Sequence, residues 1–250
     1  MPVSDRMRAV AALVQPCGCM ADIGCDHGYV AIELIKSSTC ERVIAMDINR
    51  GPLKRAMENI RAYGLQSYIE TRLSDGAAAL VSGEADGIIC AGMGGRLVIS
   101  VLDRRKELIR GMKQLILQPQ SELGEVRRYL RTNGYVTEKE DMILEDGKYY
   151  PMMRVRYSES AAGCEAQNCG MKDFCAADAE RLSRVQDTYG AFLLRTAHPV
   201  LREYLLYRWE KLCGIRDGLR KAERMSGHER IFELTGQIED ITFCLDNYFS

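Results

Sequence analysis

The chain has 250 residues, of which 28% are charged, and its formal net charge is −1. This length suits one large domain or a domain with an appendage, and no apolar run is long enough to span a membrane. A net charge this close to zero excludes a uniformly basic nucleic-acid-binding protein. The segment 181–230 nevertheless has a local excess of positive charge, since its 11 basic and 6 acidic residues give a net charge of +5. Such an excess is compatible with a polyanionic partner or with a solvated helix face.

The ten cysteines do not form the pattern of a disulfide framework. Several fall in predicted core strands or helix starts, which favours reduced thiols and a cytoplasmic location. Cys164, Cys169 and Cys175 lie close together, but they lack a Cys-x-x-Cys pair and a nearby histidine. We therefore expect no metal site there.

Strands and helices alternate five times in the first part of the chain. An amphipathic helix over 4–15 comes first, and a long helix over 97–110 follows the fourth strand. The predicted strands are Met20–Ile23, Arg42–Ile48, Tyr68–Leu73, Ala85–Cys90 and Gln114–Gln118. An Asp-Gly turn at 146–147 predicts an antiparallel hairpin after them. The pattern predicts an α/β fold, a doubly wound, Rossmann-like and mostly parallel seven-stranded sheet covered on both faces.

The pattern changes beyond residue 157. Residues 158–175 are rich in Gly, Ala and Cys without periodicity, and we interpret them as a linker or an insertion. The segment 177–196 predicts one helix. Two heptad-patterned helices then flank a turn at 226–229, which predicts an α-helical hairpin or coiled coil. The predicted domains are thus 1–157, the connecting segment 158–175, and a helical domain over 176–250.

Acids and glycines follow several of the predicted strands. They are Asp22, Gly24, Gly28, Asp47, Asp75, Gly76 and the glycines of 92–95. Because the carboxyl ends of parallel strands share one edge of a sheet, these residues should converge on one cleft. The first turn is neither Gly-x-Gly-x-x-Gly nor a Walker loop. Asp22 and Asp26 would repel a pyrophosphate but attract an ammonium and a sulfonium, which favours S-adenosylmethionine over NAD.

Four motifs together resemble one known family. They are Ala21–Val30, Ala91–Gly95, Leu115–Pro119 and Gly147–Tyr150. This set looks like the TrmK family within the class I S-adenosylmethionine-dependent methyltransferases. Its members methylate N1 of adenine 22 in bacterial tRNA and carry a helical hairpin after the methyltransferase domain. The chain departs from the family pattern at three positions, with Asp47 for the usual Glu, Gln120 for Asn and Pro151 for Glu.

The resemblance implies a role for each acid of the cleft. Asp22 and Gly24 would line the methionine end of the cofactor, Asp47 would accept the ribose hydroxyls, and Asp75 with Gly76 would face the adenine. An ordinary Asp-Gly turn remains the alternative for Asp75. The full set of expected cofactor contacts is Asp22, Gly24, Gly28, Asp47, Ile48, Asp75, Gly76, Ala91, Gly92 and Met93.

Two residues of the first turn are the candidate catalytic residues. Adenine N1 needs no base before it attacks a sulfonium methyl, so catalysis reduces to positioning and charge. Asp26 would stabilise the cationic product base, and His27 would orient or stack on the base. An ordinary hydrogen-bonded turn histidine remains the alternative for His27.

The target N1 lies on the Watson–Crick edge, so the base must be unpaired or turned out of its stack. The protein must therefore hold the structured RNA through the RNA backbone. The candidate RNA-binding residues are Arg6, Arg8, Arg195, Arg202, Arg208, Arg216 and Arg220. The alternative for the helical hairpin is oligomerisation or stability alone, and we expect a monomer. The alternatives for the activity are methylation of another RNA or of a small molecule, and a nucleotide-binding scaffold without activity.

Overall fold

The computed structural model describes residues 3–161, 176–221 and 228–249. Contacts divide the chain into two compact units, Met1–Gln167 and Asn168–Ser250, and each is described by itself. The division falls inside 158–175, most of which lies outside the described residues. The three clustered cysteines and the first half of the turn at 226–229 lie outside them as well. The domain bounds taken from the sequence therefore stay a prediction.

Unit 1 is built on a seven-stranded sheet in the order β3-β2-β1-β4-β5-β7-β6. Its first five members pair in parallel, while β7 runs antiparallel to both β5 and β6. The strands are β1 Cys17–Ile23, β2 Cys40–Asp47, β3 Ile69–Leu73, β4 Gly87–Met93, β5 Gln114–Pro119, β6 Tyr135–Glu145 and β7 Lys148–Tyr157. The strand order reverses between β1 and β4, which is where open α/β sheets bind ligands. The predicted fold class is confirmed.

Helices cover both faces of this sheet. The helices of unit 1 are α1 Asp5–Ala12, α2 Tyr29–Lys36, α3 Arg50–Ala62, α4 Gly95–Arg104, α5 Lys106–Arg110 and α6 Leu123–Thr132, and a short 3₁₀ turn spans Glu159–Ala161. Side chains of α1, α2 and α3 share one core with one face of the sheet, and those of α4, α5 and α6 share a second core with the other. The central strands are therefore apolar on both faces, as β5 shows by being buried at every position.

Two local differences from the sequence prediction bear on the site. The strand predicted over 85–90 continues to Met93, with a register shift between Ala91 and Met93 where Gly92 adopts a φ of +79°. The helix predicted over 97–110 is interrupted at Arg105. The Arg105 guanidinium donates to the carbonyls of Ala78 and Leu80 at 2.8 and 3.1 Å, so tertiary hydrogen bonds accompany a break that helical periodicity does not reveal.

The hairpin turn agrees closely with its prediction. Glu145 and Lys148 are register partners, and Asp146 and Gly147 between them have φ of +49° and +73°. Two central residues with positive φ match the right-handed twist of the flanking strands. This turn places β7 between β5 and β6, so the side chains at the hairpin end reach the carboxyl end of β5.

Helices make up almost all of the described residues of unit 2. It comprises α7 Ala176–Tyr189, α8 Ala191–Arg195, α9 Pro199–Lys221 and α10 His228–Tyr248. The single helix predicted over 177–196 is wrong, because Gly190, at a φ of +97°, separates α7 from α8. The predicted pairing of the last two helices is confirmed by the packing of α9 on α10.

The heptad pattern identifies the packed face of these helices only in part. The buried residues are Leu201, Leu205 and Leu212 on α9, and Leu234, Ile238, Ile241 and Cys244 on α10. Ile215, which the heptad places on the same face, is 43% exposed. In the segments described, no helix has both the length and the apolar character needed to cross a membrane.

Candidate active site

Asp22 lies on the central strand β1 at the point where the strand order reverses. Its neighbours are β2 on one side and β4 on the other. The residue is 3% exposed, and its Oδ2 has no hydrogen-bond partner among the described residues. Burial first, and then the charge of Asp47, raises the pKa of Asp22 from 3.8 to about 7. A buried carboxylate oxygen without a partner is costly, and a cationic ligand would compensate it.

The turn after β1 depends on two glycines. Gly24 has a φ of +74°, and its N–H donates to the Met46 carbonyl at 2.8 Å, which ties the turn to the end of β2. A Cβ at Gly24 would lie 3.1 Å from Cε of Met93, so the turn and the end of β4 approach closely. Gly28 has a φ of +70°, and a Cβ there would lie 3.2 Å from Cβ of Ala56. Gly28 therefore lets the start of α2 pack against α3.

Asp47 ends β2 beside this turn. It is 8% exposed, and its Oδ1 accepts the backbone N–H of Asn49 at 2.8 Å. The next residue, Ile48, is 59% exposed. A carboxylate held by one backbone donor and an exposed apolar side chain beside it offer both a hydroxyl acceptor and an apolar face for a ring.

Asp75 and Gly76 follow β3 on the same edge of the sheet. Asp75 forms an ion pair with Arg104 of α4 at 2.9 Å, and its side chain is half exposed. Gly76 has a φ of +56°, and a Cβ there would lie 3.1 Å from Cγ2 of Val101. Both residues thus anchor this loop to α4. The role of Asp75 toward an adenine stays a prediction, as do the other predicted site roles.

Asp26 and His27 form the exposed tip of the first turn. Asp26 has a φ of +47°, and its carboxylate pairs with Arg55 of α3 at 3.1 Å and approaches His27 Nε2 at 3.5 Å. The His27 ring stacks on Tyr29 with centroids 5.8 Å apart, and the His27 carbonyl accepts Nδ2 of Asn59 at 2.9 Å. The predicted pair is therefore assembled, but Arg55 already compensates part of the charge of Asp26.

Beyond β4 lies a polar cluster that the sequence prediction missed as a group. Gln118, at the end of β5 and fully buried, accepts through Oε1 from both the Gly92 N–H and Arg6 Nη1, each at 3.0 Å. Its Nε2 has no partner among the described residues. The guanidinium of Arg6 also lies 5.2 Å from the ring centre of Tyr150, and the Arg6 backbone N–H donates to Glu145 at 3.0 Å. The signal for this cluster that the sequence offered was a polar glutamine directly after the apolar run 115–117.

The arginines predicted to bind RNA have different environments. Arg6 points into the cluster just described, with a side chain 20% exposed, whereas Arg8 is half exposed and pairs with Asp5. In unit 2, Arg208 donates to Gln237 of α10 at 3.4 Å and Arg216 pairs with Asp217 at 3.0 Å. The remaining arginines are exposed, and they are Arg195, Arg202 and Arg220. The guanidinium of Arg195 also lies over an aromatic ring.

The site as a whole fits a cationic cofactor carrying hydroxyl groups. It offers a buried carboxylate with a free oxygen, a second carboxylate beside it, and a glycine turn close to the backbone. Among the described residues, no group of three His, Cys, Asp or Glu side chains is arranged to hold a metal ion. The arrangement matches the class of proteins that transfer groups from such a cofactor at the switch point of a doubly wound sheet.

Comparison with known proteins gives this class a name. Residues 3–153 match the model of a family described as a methyltransferase domain, and the chain belongs to this family. Among curated proteins it is similar to the tRNA (adenine(22)-N(1))-methyltransferase of Bacillus subtilis, with 35% identity over 61% of this chain and 64% of that protein. The matching stretch thus spans slightly less than two thirds of that relative.

Solved structures extend the similarity to almost the whole chain. The Streptococcus pneumoniae protein Sp1610, a putative tRNA (m1A22) methyltransferase, superposes with a TM-score of 0.80, 27% identity and coverage of 98% of this chain and 100% of its own. The m1A22 tRNA methyltransferase TrmK of B. subtilis superposes with a TM-score of 0.77, 26% identity and coverage of 98% and 99%. Sp1610 has also been solved in complex with S-adenosyl-L-methionine. The predicted resemblance to the TrmK family is confirmed.

Proposed function

We propose that this protein transfers a methyl group from S-adenosylmethionine to N1 of adenine 22 in tRNA. The observation that carries the proposal is the buried, unpartnered Oδ2 of Asp22 at the switch point of a methyltransferase fold. The relatives named above support the choice of RNA, base and ring nitrogen.

The residues around the first turn fit this cofactor. Asp22 would hold its cationic methionine end, and Asp47 would accept its ribose hydroxyls. Gly24 leaves room for it beside Met93, and Ile48 would pack against its base. S-adenosylmethionine supplies an electrophilic methyl group on a sulfonium. We assign the remaining contacts to Gly28, Asp75, Gly76, Ala91 and Gly92.

The chain's own contribution to catalysis is positioning and charge, since the attacking ring nitrogen carries a free lone pair. His27, stacked on Tyr29, would orient the base. Asp26 would stabilise the positive charge that the base acquires, and Arg55 would tune that effect by pairing with Asp26.

The assigned roles of Asp26 and Arg55 lead to a testable difference. Asp26→Ala should lower kcat at least tenfold while leaving cofactor affinity within about twofold, because the carboxylate acts on the base rather than on the cofactor. Arg55→Met, the matched control, removes the competing cation and should leave kcat unchanged or higher. Methyl transfer under saturating substrates and cofactor calorimetry measure the two quantities. Wild-type turnover in Asp26→Ala would remove Asp26 from the mechanism.

The partner is tRNA, held by exposed arginines of each unit through backbone phosphates. Arg8, Arg195, Arg202 and Arg220 are the most accessible of the candidates. Arg6, Arg208 and Arg216 would act mainly by fixing the local structure around them. The protein would act as a monomer in the cytoplasm, which light scattering at assay concentration and cell fractionation would test.

The decisive experiment is mass spectrometry of tRNA nucleosides. Unmodified tRNA is incubated with the protein and methyl-labelled S-adenosylmethionine. One labelled 1-methyladenosine per tRNA is expected, and its loss when position 22 is guanine locates it. Label at another RNA position or only in small molecules would favour the alternative substrates. No transfer to any acceptor, with intact cofactor binding, would indicate a scaffold without activity.

A further inference from the structure

Gln118 has half of its hydrogen-bonding capacity unused in a buried position. A glutamine amide has two acceptor sites on Oε1 and two hydrogens on Nε2. Both acceptor sites are filled, by Gly92 N–H and by Arg6 Nη1, each at 3.0 Å. Nε2 is buried and has no acceptor among the described residues. A buried donor left unpaired carries a desolvation penalty, so the pattern points to an acceptor supplied from outside the chain.

The orientation of this amide follows from its partners. Two N–H donors converge on one atom of the side chain, and only an oxygen can accept both. The opposite orientation would place an NH₂ group against two donors. The unsatisfied atom is therefore a donor, which excludes an exocyclic amine or an ammonium group as its partner.

The position of Gln118 places it on the acceptor side of the cleft. The acids suited to the cofactor, Asp22 and Asp47, end β1 and β2. Gln118 ends β5, on the other side of β4, and it holds the backbone of Gly92 in the β4 segment that borders the cleft. Ligands bind outside these strand ends, and the side beyond β4 is left for the methyl acceptor.

We infer that Gln118 binds the base to be methylated, with its Nε2 donating to a ring nitrogen of adenine other than N1. This inference rests on the proposed function. The N1 lone pair must stay free for the methyl group, while N3 and N7 are acceptors that an amide donor can reach without competing. Reaching a covered amide requires a neighbouring side chain to move, and the test below does not depend on which one moves.

The test pairs two variants with three substrates. Gln118→Glu retains both acceptor sites for Gly92 and Arg6 but cannot donate. The matched control is Gln114→Glu on the same strand, because both the oxygen and the nitrogen of the buried Gln114 amide already have a partner in Gln15, with both bonds 2.9 Å long. The tRNA carries adenine, 3-deazaadenine or 7-deazaadenine at position 22. The measurements are kcat/KM, cofactor affinity by calorimetry and the melting temperature.

Gln118→Glu should lower kcat/KM on the adenine tRNA about 5- to 20-fold, the loss expected for one hydrogen bond with a partner left unpaired. Cofactor affinity should stay within twofold. Gln114→Glu should lower the melting temperature but change kcat/KM less than twofold. One of the two deaza substrates should lose a similar factor with the wild-type protein and lose nothing more with Gln118→Glu.

Three outcomes would overturn the inference. The first is wild-type kcat/KM in Gln118→Glu. The second is full activity of the wild-type protein on both deaza substrates, a measurement that does not require any variant to fold. The third is that the losses caused by Gln118→Glu and by each deaza substitution multiply independently, which would assign Gln118 a structural role. If the wild-type protein methylates no tRNA at all, the proposed function itself fails, and that outcome is recognised before any variant is made.

Discussion

At the scale of single residues, Asp22 links stability to pH. Its pKa in the folded protein is about 7, raised by burial from 3.8. Between these pH values the folded protein keeps a proton that the unfolded chain has released, so this group's contribution to stability falls as pH rises from about 4 through 7 and is constant above. The ionised carboxylate costs the folded state about 4 kcal/mol at high pH.

Asp22→Asn should remove this dependence. We expect the variant to gain about 3 kcal/mol of stability relative to wild type as pH rises from 5 to 8.5, because part of the effect lies below pH 5. Urea unfolding of both cofactor-free proteins at several pH values gives the difference curve, in which the other titrating groups cancel. A flat difference curve would show that Asp22 is ionised throughout.

The same carboxyl should control cofactor binding in the opposite direction. A ligand with an ammonium group prefers the ionised Asp22, so its affinity rises with pH through about 7 and levels off above. Calorimetry with S-adenosylhomocysteine should show binding about thirtyfold weaker at pH 5.5 than at pH 8. Asp22→Asn should bind weakly at both pH values, and a pH-independent wild-type affinity would contradict the assignment.

Single residues also show where sequence reasoning succeeded and where it could not. The strand-end acids were located because strands alternate with helices, and the topology alone brings strand ends together. Arg6 was assigned to RNA, yet it contacts Gln118 and Glu145, which lie 112 and 139 residues away. No periodicity encodes such a pairing. The buried donor of Gln118 likewise follows from which atoms its carbonyl accepts, and that is a property of the fold.

At the scale of elements, the adjacent carboxylates Glu239 and Asp240 of α10 pair with arginines of helix α7. Asp240 accepts from Arg184 through both oxygens at 2.8 Å and from Arg181 at 3.2 Å. The heptad pattern predicted the pairing of α9 with α10 because that pairing is apolar and periodic. It missed the break at Gly190, and it did not reveal that ion pairs link α7 to α10.

Asp240→Asn should therefore lower the free energy of unfolding of unit 2 by about 1–2 kcal/mol, because it removes the negative charge that pairs with two partly exposed arginines. The loss should appear in thermal unfolding and as faster amide exchange along α7. The matched control is Glu239→Gln on the adjacent position, which pairs only with Arg181 at 3.2 Å and has a side chain 60% exposed, so the expected change is below about 0.5 kcal/mol. Equal effects of the two variants would contradict the assigned role of Asp240.

At the scale of the whole molecule, the proposed chemistry lies in unit 1, whereas most of the exposed arginines proposed to bind RNA lie in unit 2. Unit 1 carries every residue proposed to touch cofactor or base, on its strands or in the loops that follow them. Unit 2 carries the exposed arginines Arg202 and Arg220 on α9. The proposal therefore predicts that tRNA binding can be weakened without any effect on cofactor binding.

The double variant Arg202→Glu with Arg220→Glu should raise the KM for tRNA at least tenfold at physiological salt. Its binding should also depend less steeply on salt, by about 0.7–0.9 in the log–log slope per lost phosphate contact. Cofactor affinity should not change. The control is Arg42→Glu, an exposed arginine near the amino end of β2, opposite the site within unit 1. An unchanged KM in the double variant would leave unit 2 with a purely structural role.

The attachment of α1 has a consequence for the order of folding during synthesis. The segment containing this helix is held at one end by Gln118 and Glu145 and at the other by Gln114, and Arg154 donates to the Leu13 carbonyl at 3.0 Å. All of these partners emerge from the ribosome 99 to 141 residues later. The helix made earliest in unit 1 thus docks among its last elements, because contacts so distant in sequence form late. Helix α1 can pack on α2 earlier, but these hydrogen bonds must wait for β5, β6 and β7, so the segment stays only partly attached until most of unit 1 has been translated.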